Sequence, residues 1–295
     1  MWKARYLYVI LLPTVVYYVL FHYVPMYGVV LAFKDYQFNE GILGSPWAGL
    51  KYFREAFSMP EFTQVFLNTV IIAVGRLIIE FPAPILVALL LNEVARKAMK
   101  RFYQTVFTFP HFLSWVIVSG IMTNVLADMG LLNQLLVALG WNKVNLLIEA
   151  SSFRWLLFGT SIWKEMGWGT IIYLAAMASI NPELYEAASI DGAGRRHKML
   201  YITWPGIRGT VFILLILAIG NIMNGGGFEQ IFNLYNPGVY QVADILDTYI
   251  YRTTFSDGGS FSFSTAIGLF KSVINCVMLL AANAIIRKRG EAGLF

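Results

Sequence analysis

The sequence predicts an all-α integral membrane protein with six transmembrane helices, and three observations predict it. Of its 295 residues, 58% are hydrophobic and only 13% charged, whereas a soluble domain carries ~25% charge. Several apolar runs reach the ~20 residues a helix needs to cross a ~30 Å hydrocarbon core. Aromatic residues make up 16% of the chain, which suits Trp and Tyr anchoring at two membrane interfaces.

The first span, 6–33, is too long for a signal-peptide core and has no small-residue cleavage site, so it reads as a retained helix. The second, 62–91, contains Pro82 and Pro84, which should bend it. The third covers 105–126, the fourth 153–178, the fifth 205–223 and the sixth 263–286. Between spans three and four, Gly130 to Gly140 is apolar but too short to cross, and reads as a helix lying along the interface. The connection 225–261 is glycine- and aromatic-rich and long, so it is functional or packed on a neighbour. The whole chain, 1–295, forms one membrane domain.

Charge supplies orientation. With six crossings, Lys3 and Arg5, the group Arg96, Lys97, Lys100 and Arg101, the group Arg195, Arg196, Lys198 and Arg208, and the group Arg287, Lys288 and Arg289 all fall on one side. The opposite loops hold Lys34, Lys51, Arg54, Lys143, Arg154 and Arg252, about half as many bases, together with more acids than bases. The positive-inside rule then puts both termini in the cytoplasm.

The same distribution excludes other classes. The net charge is +5, but the bases are scattered over short connections and build no nucleic-acid groove. A lone cysteine, Cys276, excludes an intramolecular disulfide. His22, His111 and His197 lack metal-ligand spacing. No P-loop, nucleophile elbow, zinc box or dinucleotide fingerprint occurs, so the chain has no catalytic residues and no cofactor of its own.

One polar stretch, 179–205, interrupts the apolar pattern. Asn181-Pro182-Glu183 starts a helix with a capping side chain, a proline at the first position and an acid in the first turn. Leu184, Ala187 and Ala188 fall at i, i+3 and i+4 and form a small apolar face. Asp191-Gly192 is a turn. A basic amphipathic piece, 195–201, follows, and Pro205 re-enters the membrane. The product is a helix–turn–helix in which Glu186 and Asp191 offer charge to a partner's bases.

Glu186-Ala187-Ala188, Asp191-Gly192-Ala193 and Pro205 resemble the cytoplasmic motif of permease subunits of binding-protein-dependent ABC importers. The residue before the proline is usually aliphatic there and is Trp204 here. The stretches from Phe66, Phe109 and Trp163 resemble the carbohydrate-uptake branch, including Gly130, Asn133 and Gly140. The first span and its flanks resemble the branch's oligosaccharide and polysaccharide subgroup, which includes the alginate importer. The resemblance implies the type I ABC importer permease fold in a bacterial cytoplasmic (inner) membrane. It implies a second permease subunit, two ATPase subunits that hold ATP and Mg, an extracytoplasmic solute-binding protein and a sugar cargo. It further implies that Glu186 pairs with an ATPase base, that Ala187 and Ala188 fill the docking cleft, and that Gly192 makes the turn. The connection 225–261 is then the candidate contact for the binding protein.

Ionisable residues inside spans are costly and face a cavity or a partner. Arg76 and Glu80 are spaced i, i+4 and should pair. Lys164 and Glu165 are adjacent, point to different sides of a helix and should not neutralise each other easily. Lys164 and Lys271 would suit an anionic sugar, with interhelical pairing or snorkelling as the competing role. Asn221, Asn224 and Asn275 add hydrogen-bonding groups, and Trp163, Trp168 and Tyr173 carry rings of the kind that stack on sugar faces. An ion-coupled secondary transporter of a polar solute is the rival; it should show inverted repeats and matched broken helices, and neither is evident.

Overall fold

A computed structural model of the protein describes residues 5–224, 227–255, 259–288, 290 and 293–294. Lys3 and Arg289, used above for orientation, and Gly225, Gly226 and 256–258 of the long connection lie outside the described residues. Among the described residues the regular structure is helical, apart from an isolated antiparallel bridge between Lys34 and Trp47.

In chain order the principal helices are α1 (Tyr6–Phe33), α2 (Lys51–Ser58), α3 (Pro60–Ile79), α4 (Pro82–Asn92), α5 (Lys97–Thr108), α6 (Trp115–Leu126), α7 (Leu131–Ala138), α8 (Ala150–Ala178), α9 (Pro182–Ile190), α10 (Arg195–Gly220), α11 (Phe228–Leu234), α12 (Leu246–Phe255) and α13 (Phe261–Lys288). Among the described residues, five helical stretches are long and apolar enough to cross a membrane: α1, Pro60–Asn92, Trp115–Ala138, α10 and α13. Helix α8 has 29 residues, about 43 Å at 1.5 Å per residue, but carries Arg154, Lys164 and Glu165.

The second span bends where its prolines predict: it is interrupted at Glu80–Phe81, and Pro82 opens α4. Two boundaries differ from the sequence reading, those of the third and fifth spans. The third was expected to run unbroken from 105; instead α5 ends at Thr108, and a 3₁₀ turn over Phe109–Phe112 leads to extended Leu113 before α6. Pro110 withholds an N–H from the helix ladder. Ser114 then restarts the helix, its Oγ accepting from Ile117 N at 3.3 Å. Hydropathy runs through this break and conceals it. The fifth span begins earlier than Pro205: the basic piece and the span are one helical stretch, α10, with a π-turn over Met199–Thr203. The 130–140 segment is helical as expected, and it extends the apolar stretch after an interruption at 127–130. Buried Asn133 staples that interruption, donating from Nδ2 to Ala127 O and Val144 O at 3.0 Å and accepting from Val144 N at 2.9 Å.

The chain divides into two compact units, Met1–Thr63 with Tyr249–Val273, and Gln64–Thr248 with Ile274–Phe295. In the first, α1 is exposed along nearly its whole length; an apolar helix so bare belongs in lipid or against another subunit. Its connection to α2 is well tied. Tyr52 Oη donates to Asp35 at 2.5 Å and Lys51 Nζ lies 3.3 Å away. The Tyr52 hydroxyl bond, followed by the Lys51 ammonium, holds the Asp35 carboxyl below its usual value, while burial pushes the Tyr52 phenol up.

Among the described residues, the second unit holds several buried clusters. Ile72, Phe153, Leu157, Ile231, Val239 and Ile245 belong to one, so residues of the 227–248 stretch are core. A second joins Ile85 and Ala88 to Tyr173, Ile207 and Val211, and a third joins Ile216 to Ala282 and Ile286. Helix α8 meets the end of α5 without clearance: a Cβ on Gly167 would overlap Phe107 O and Thr108 N, so only glycine fits. Cys276, on α13, is a free and exposed thiol.

Candidate functional site

The 179–205 loop lies in the second unit and folds as its sequence dictates. Asn181 Oδ1 accepts from Glu183 N at 3.0 Å, capping α9, and Pro182 occupies the first turn. Helix α9 ends at Asp191, and Gly192 turns the chain with φ +78°, a left-handed conformation natural only to glycine. Ala193 N bonds to Ala188 O at 2.8 Å, closing the turn.

What the loop presents is clear from exposure. Glu186, Ala187, Asp191, Gly192 and Pro205 are exposed, Ala188 and Ala193 half-buried. Ile190 is 87% exposed and Leu184 53%, so α9 offers bare apolar surface beside acids. Its inner side is fastened. Tyr185 Oη and buried Thr203 Oγ1 bond at 2.9 Å, and Lys198 Nζ donates to Ser189 Oγ at 2.6 Å. At the base of the loop, Ile180 packs where a side chain on Gly206 would sit, so the two ends of the loop lie against each other. The ties reach α10 at its π-turn. Sequence reasoning identified the cap, the turn and the exposed acids but missed Tyr185, Ser189, Lys198 and Thr203, whose pairing depends on how the turn closes.

Arg76, Glu80, Lys164 and Glu165, the charged groups singled out in the second unit, fall in two clusters. In one, Arg76 Nε lies 3.6 Å from Glu80 Oε1, the expected i, i+4 pair. Arg76 Nη2 also donates to Gln230 Oε1 at 2.5 Å, and Ser161 Oγ donates to Glu80 Oε2 at 2.7 Å. Gln230, fully buried, donates in turn to Leu157 O at 2.8 Å and Thr160 Oγ1 at 2.7 Å. Arg76, Glu80 and Asn221 line one cavity of about 320 Å³.

In the other cluster, Lys164 Nζ donates to Glu165 Oε1 at 2.8 Å and His111 O at 3.0 Å, and lies 5.3 Å from the Trp115 ring centroid. This corrects the expectation that Lys164 and Glu165 could not neutralise each other. Adjacent Cβ atoms do diverge on a helix, but the four-carbon lysine stem is long enough to curl back. Glu165 Oε2 also meets His111 Nδ1 at 2.6 Å, and the His111 ring stacks on Trp168 at 4.5 Å between centroids. The sequence marks His111 only as lacking metal-ligand spacing, and Pro110 beside it signals the break.

The remaining candidates are dispersed. Trp163 and Trp168 are exposed on α8. Asn221 Nδ2 donates to Leu217 O at 3.2 Å at the end of α10, and Asn224 Nδ2 reaches Asn221 Oδ1 at 3.4 Å. Asn275 Oδ1 accepts from Met223 N at 2.9 Å. Lys271 is half-buried on α13 within the first unit.

Known proteins resemble the chain in sequence and in fold. The chain is 46% identical over 99% of its length to the polygalacturonan/rhamnogalacturonan transport system permease protein YteP of Bacillus subtilis (strain 168), covering 91% of that protein. It is 44% identical over 99% of its length to protein LplB of the same organism, covering 92% of it. Its fold matches a chain of the crystal structure of a bacterial alginate ABC transporter in complex with an alginate pentasaccharide-bound periplasmic protein, with a TM-score of 0.90, 38% identity, and 99% of this chain and 97% of that one covered. A chain from a bacterial ABC transporter involved in import of the acidic polysaccharide alginate matches with a TM-score of 0.89 at 38% identity, over 97% and 96% of the two chains. Residues 80–290 match the binding-protein-dependent transport system inner membrane component, and the chain belongs to that family of ABC transport permeases.

Proposed function

We propose that this permease passes an oligo- or polysaccharide into the cytoplasm, driven by two ATPase subunits that grip the 179–205 loop. The observation that carries the coupling role is the pair of ties beneath α9, Tyr185 to Thr203 and Ser189 to Lys198. A helix with exposed Glu186, Ala187 and Ile190, fastened to the start of a membrane-spanning helix, transmits a push instead of absorbing it. On this reading Glu186 and Asp191 meet bases of the ATPase. Ala187, Ala188 and Ala193 allow close approach, while Gly192 and Pro205 set the path of the chain.

The sugar cargo is supported by the relatives' names and by the alginate importer of like fold. The same reading includes six crossings, with α8 as the sixth, both termini in the cytoplasm of a bacterial cell, a second, non-identical permease subunit, and a solute-binding protein outside. ATP and Mg belong to the ATPases. Asn221, which shares a cavity with Arg76 and Glu80, and the exposed rings of Trp163 and Trp168 are the pathway residues open to cargo. Asn224, Asn275 and Lys271 join them as candidates, and Lys164 does so once its bonds to His111 and Glu165 are released.

The test is reconstitution with the partner subunits and binding protein in proteoliposomes. Uronate-containing oligosaccharides should stimulate ATP hydrolysis and be taken up. Glu186→Lys and Gly192→Val should abolish uptake or release the ATPase while the permease still inserts. Normal transport by both variants, or uptake that survives ATP depletion and follows an ion gradient, would overturn the proposal.

A further inference from the structure

The break at 109–114 leaves α5 as a separate helix with an unusual face. Lys97, Lys100, Arg101, Gln104, Thr105 and Thr108 recur at i, i+3, i+4, i+7, i+8 and i+11 and so lie along one side of it. The far end of that side opens into a groove of about 460 Å³ lined by Gln104, Thr105, Thr108, Phe109, Phe112 and Ile171. The near end is cationic. Lys97 and Arg101 are exposed, Lys100 is half-buried, and among the described residues none of the three is in an ion pair. Phe102 and Val106, on the flanks, are exposed apolar residues. From Lys97 to Thr108 the helix rises about 16 Å, half of a ~30 Å hydrocarbon core and hence the depth of one leaflet.

One face therefore runs from three bases, through polar Gln104 and Thr105, into a groove that Phe109, Phe112 and Ile171 make largely apolar, over a length of helix comparable to the thickness of one leaflet. That gradient complements an amphiphile with an anionic head and a hydrocarbon tail. We propose that this face binds an anionic glycerophospholipid, its headgroup on Lys97, Lys100 and Arg101 and an acyl chain in the groove floored by Thr108, Phe109, Phe112 and Ile171. Basic clusters at the ends of membrane helices attract such headgroups, and the groove adds a place for the tail that scattered topogenic charge does not have. Helix α8 forms the far wall through Ile171, so the lipid would rest against the helix that carries the Lys164–Glu165–His111 cluster.

The experiment uses the assembled transporter in nanodiscs containing phosphatidylglycerol with a photoactivatable diazirine on one acyl chain, against phosphatidylcholine carrying the same group. Mass spectrometry should place the phosphatidylglycerol label on 97–112 and on the peptide containing Ile171, with much weaker labelling by phosphatidylcholine. Combined Lys97→Gln, Lys100→Gln and Arg101→Gln should lower the label about fivefold or more. Thr108→Trp, which fills the groove and keeps the bases, should lower it as well and serves alone if the triple variant fails to assemble. Equal labelling by both lipids, or labelling unchanged by Thr108→Trp, overturns the proposal. So does a groove that takes no label but cross-links from Thr105→Cys to the second permease subunit.

Discussion

Two connections in the second unit treat their polar and apolar residues in opposite ways. The 179–205 loop leaves Ile190, Leu184 and Glu186 exposed and fastens only its inner side. The stretch 227–248 buries Gln230, Ile231, Val239 and Ile245 completely and joins the core around Ile72, Phe153 and Leu157. The first is stable without covering its outer surface, so that surface is available to a partner. The second is part of what holds α3 and α8 in place, because Gln230 links Arg76 to the backbone and side chains of α8. Being long and aromatic is therefore a poor guide to a connection's role; where its side chains go decides it.

The sharpest break of the comparison is Ile231→Ala, which removes a fully buried side chain and should cost about 2–5 kcal/mol, read as a lowered thermal midpoint of the detergent-solubilised permease. Gln230→Ala comes next. It removes an acceptor from the Arg76 guanidinium and should cost about 1.5–3 kcal/mol by the same measurement; an unchanged midpoint would mean the network is not needed for the fold. Tyr185→Phe with Ser189→Ala removes both ties beneath α9. Each lost bond is worth about 0.5–1.5 kcal/mol, and sugar-dependent ATP hydrolysis should lose its link to uptake while the ATPase stays bound. Ile190→Ala should move the permease's own stability by less than about 0.5 kcal/mol yet weaken ATPase retention in pull-down. Equal destabilisation by Ile190→Ala and Ile231→Ala would erase the distinction between the two connections.

The same contrast explains what the sequence disclosed. The 179–205 loop was legible because its devices are local: a cap two residues from its target, a proline in the first turn, and a glycine at positive φ. The Arg76–Glu80 pair was legible for the same reason. The Gln230 network was not, since its partners lie 154 and 73 residues away and no spacing rule connects them. The Lys164–Glu165 pair escapes the spacing rule because Cβ directions do not bind two long side chains whose ends swing freely. The break after α5 was missed because apolar residues continue through it, although Pro110 marked the place.

The exposed thiol of Cys276 has a practical use. As the chain's sole cysteine, it gives any thiol-reactive dye one address on this subunit. A second cysteine at Ser179 or Pro182 would complete a two-point ruler inside a single compact unit, with no background residue to remove first. Distance spectroscopy between those points during turnover could then follow, in real time, whether the base of the lever travels with α13 or slides past it.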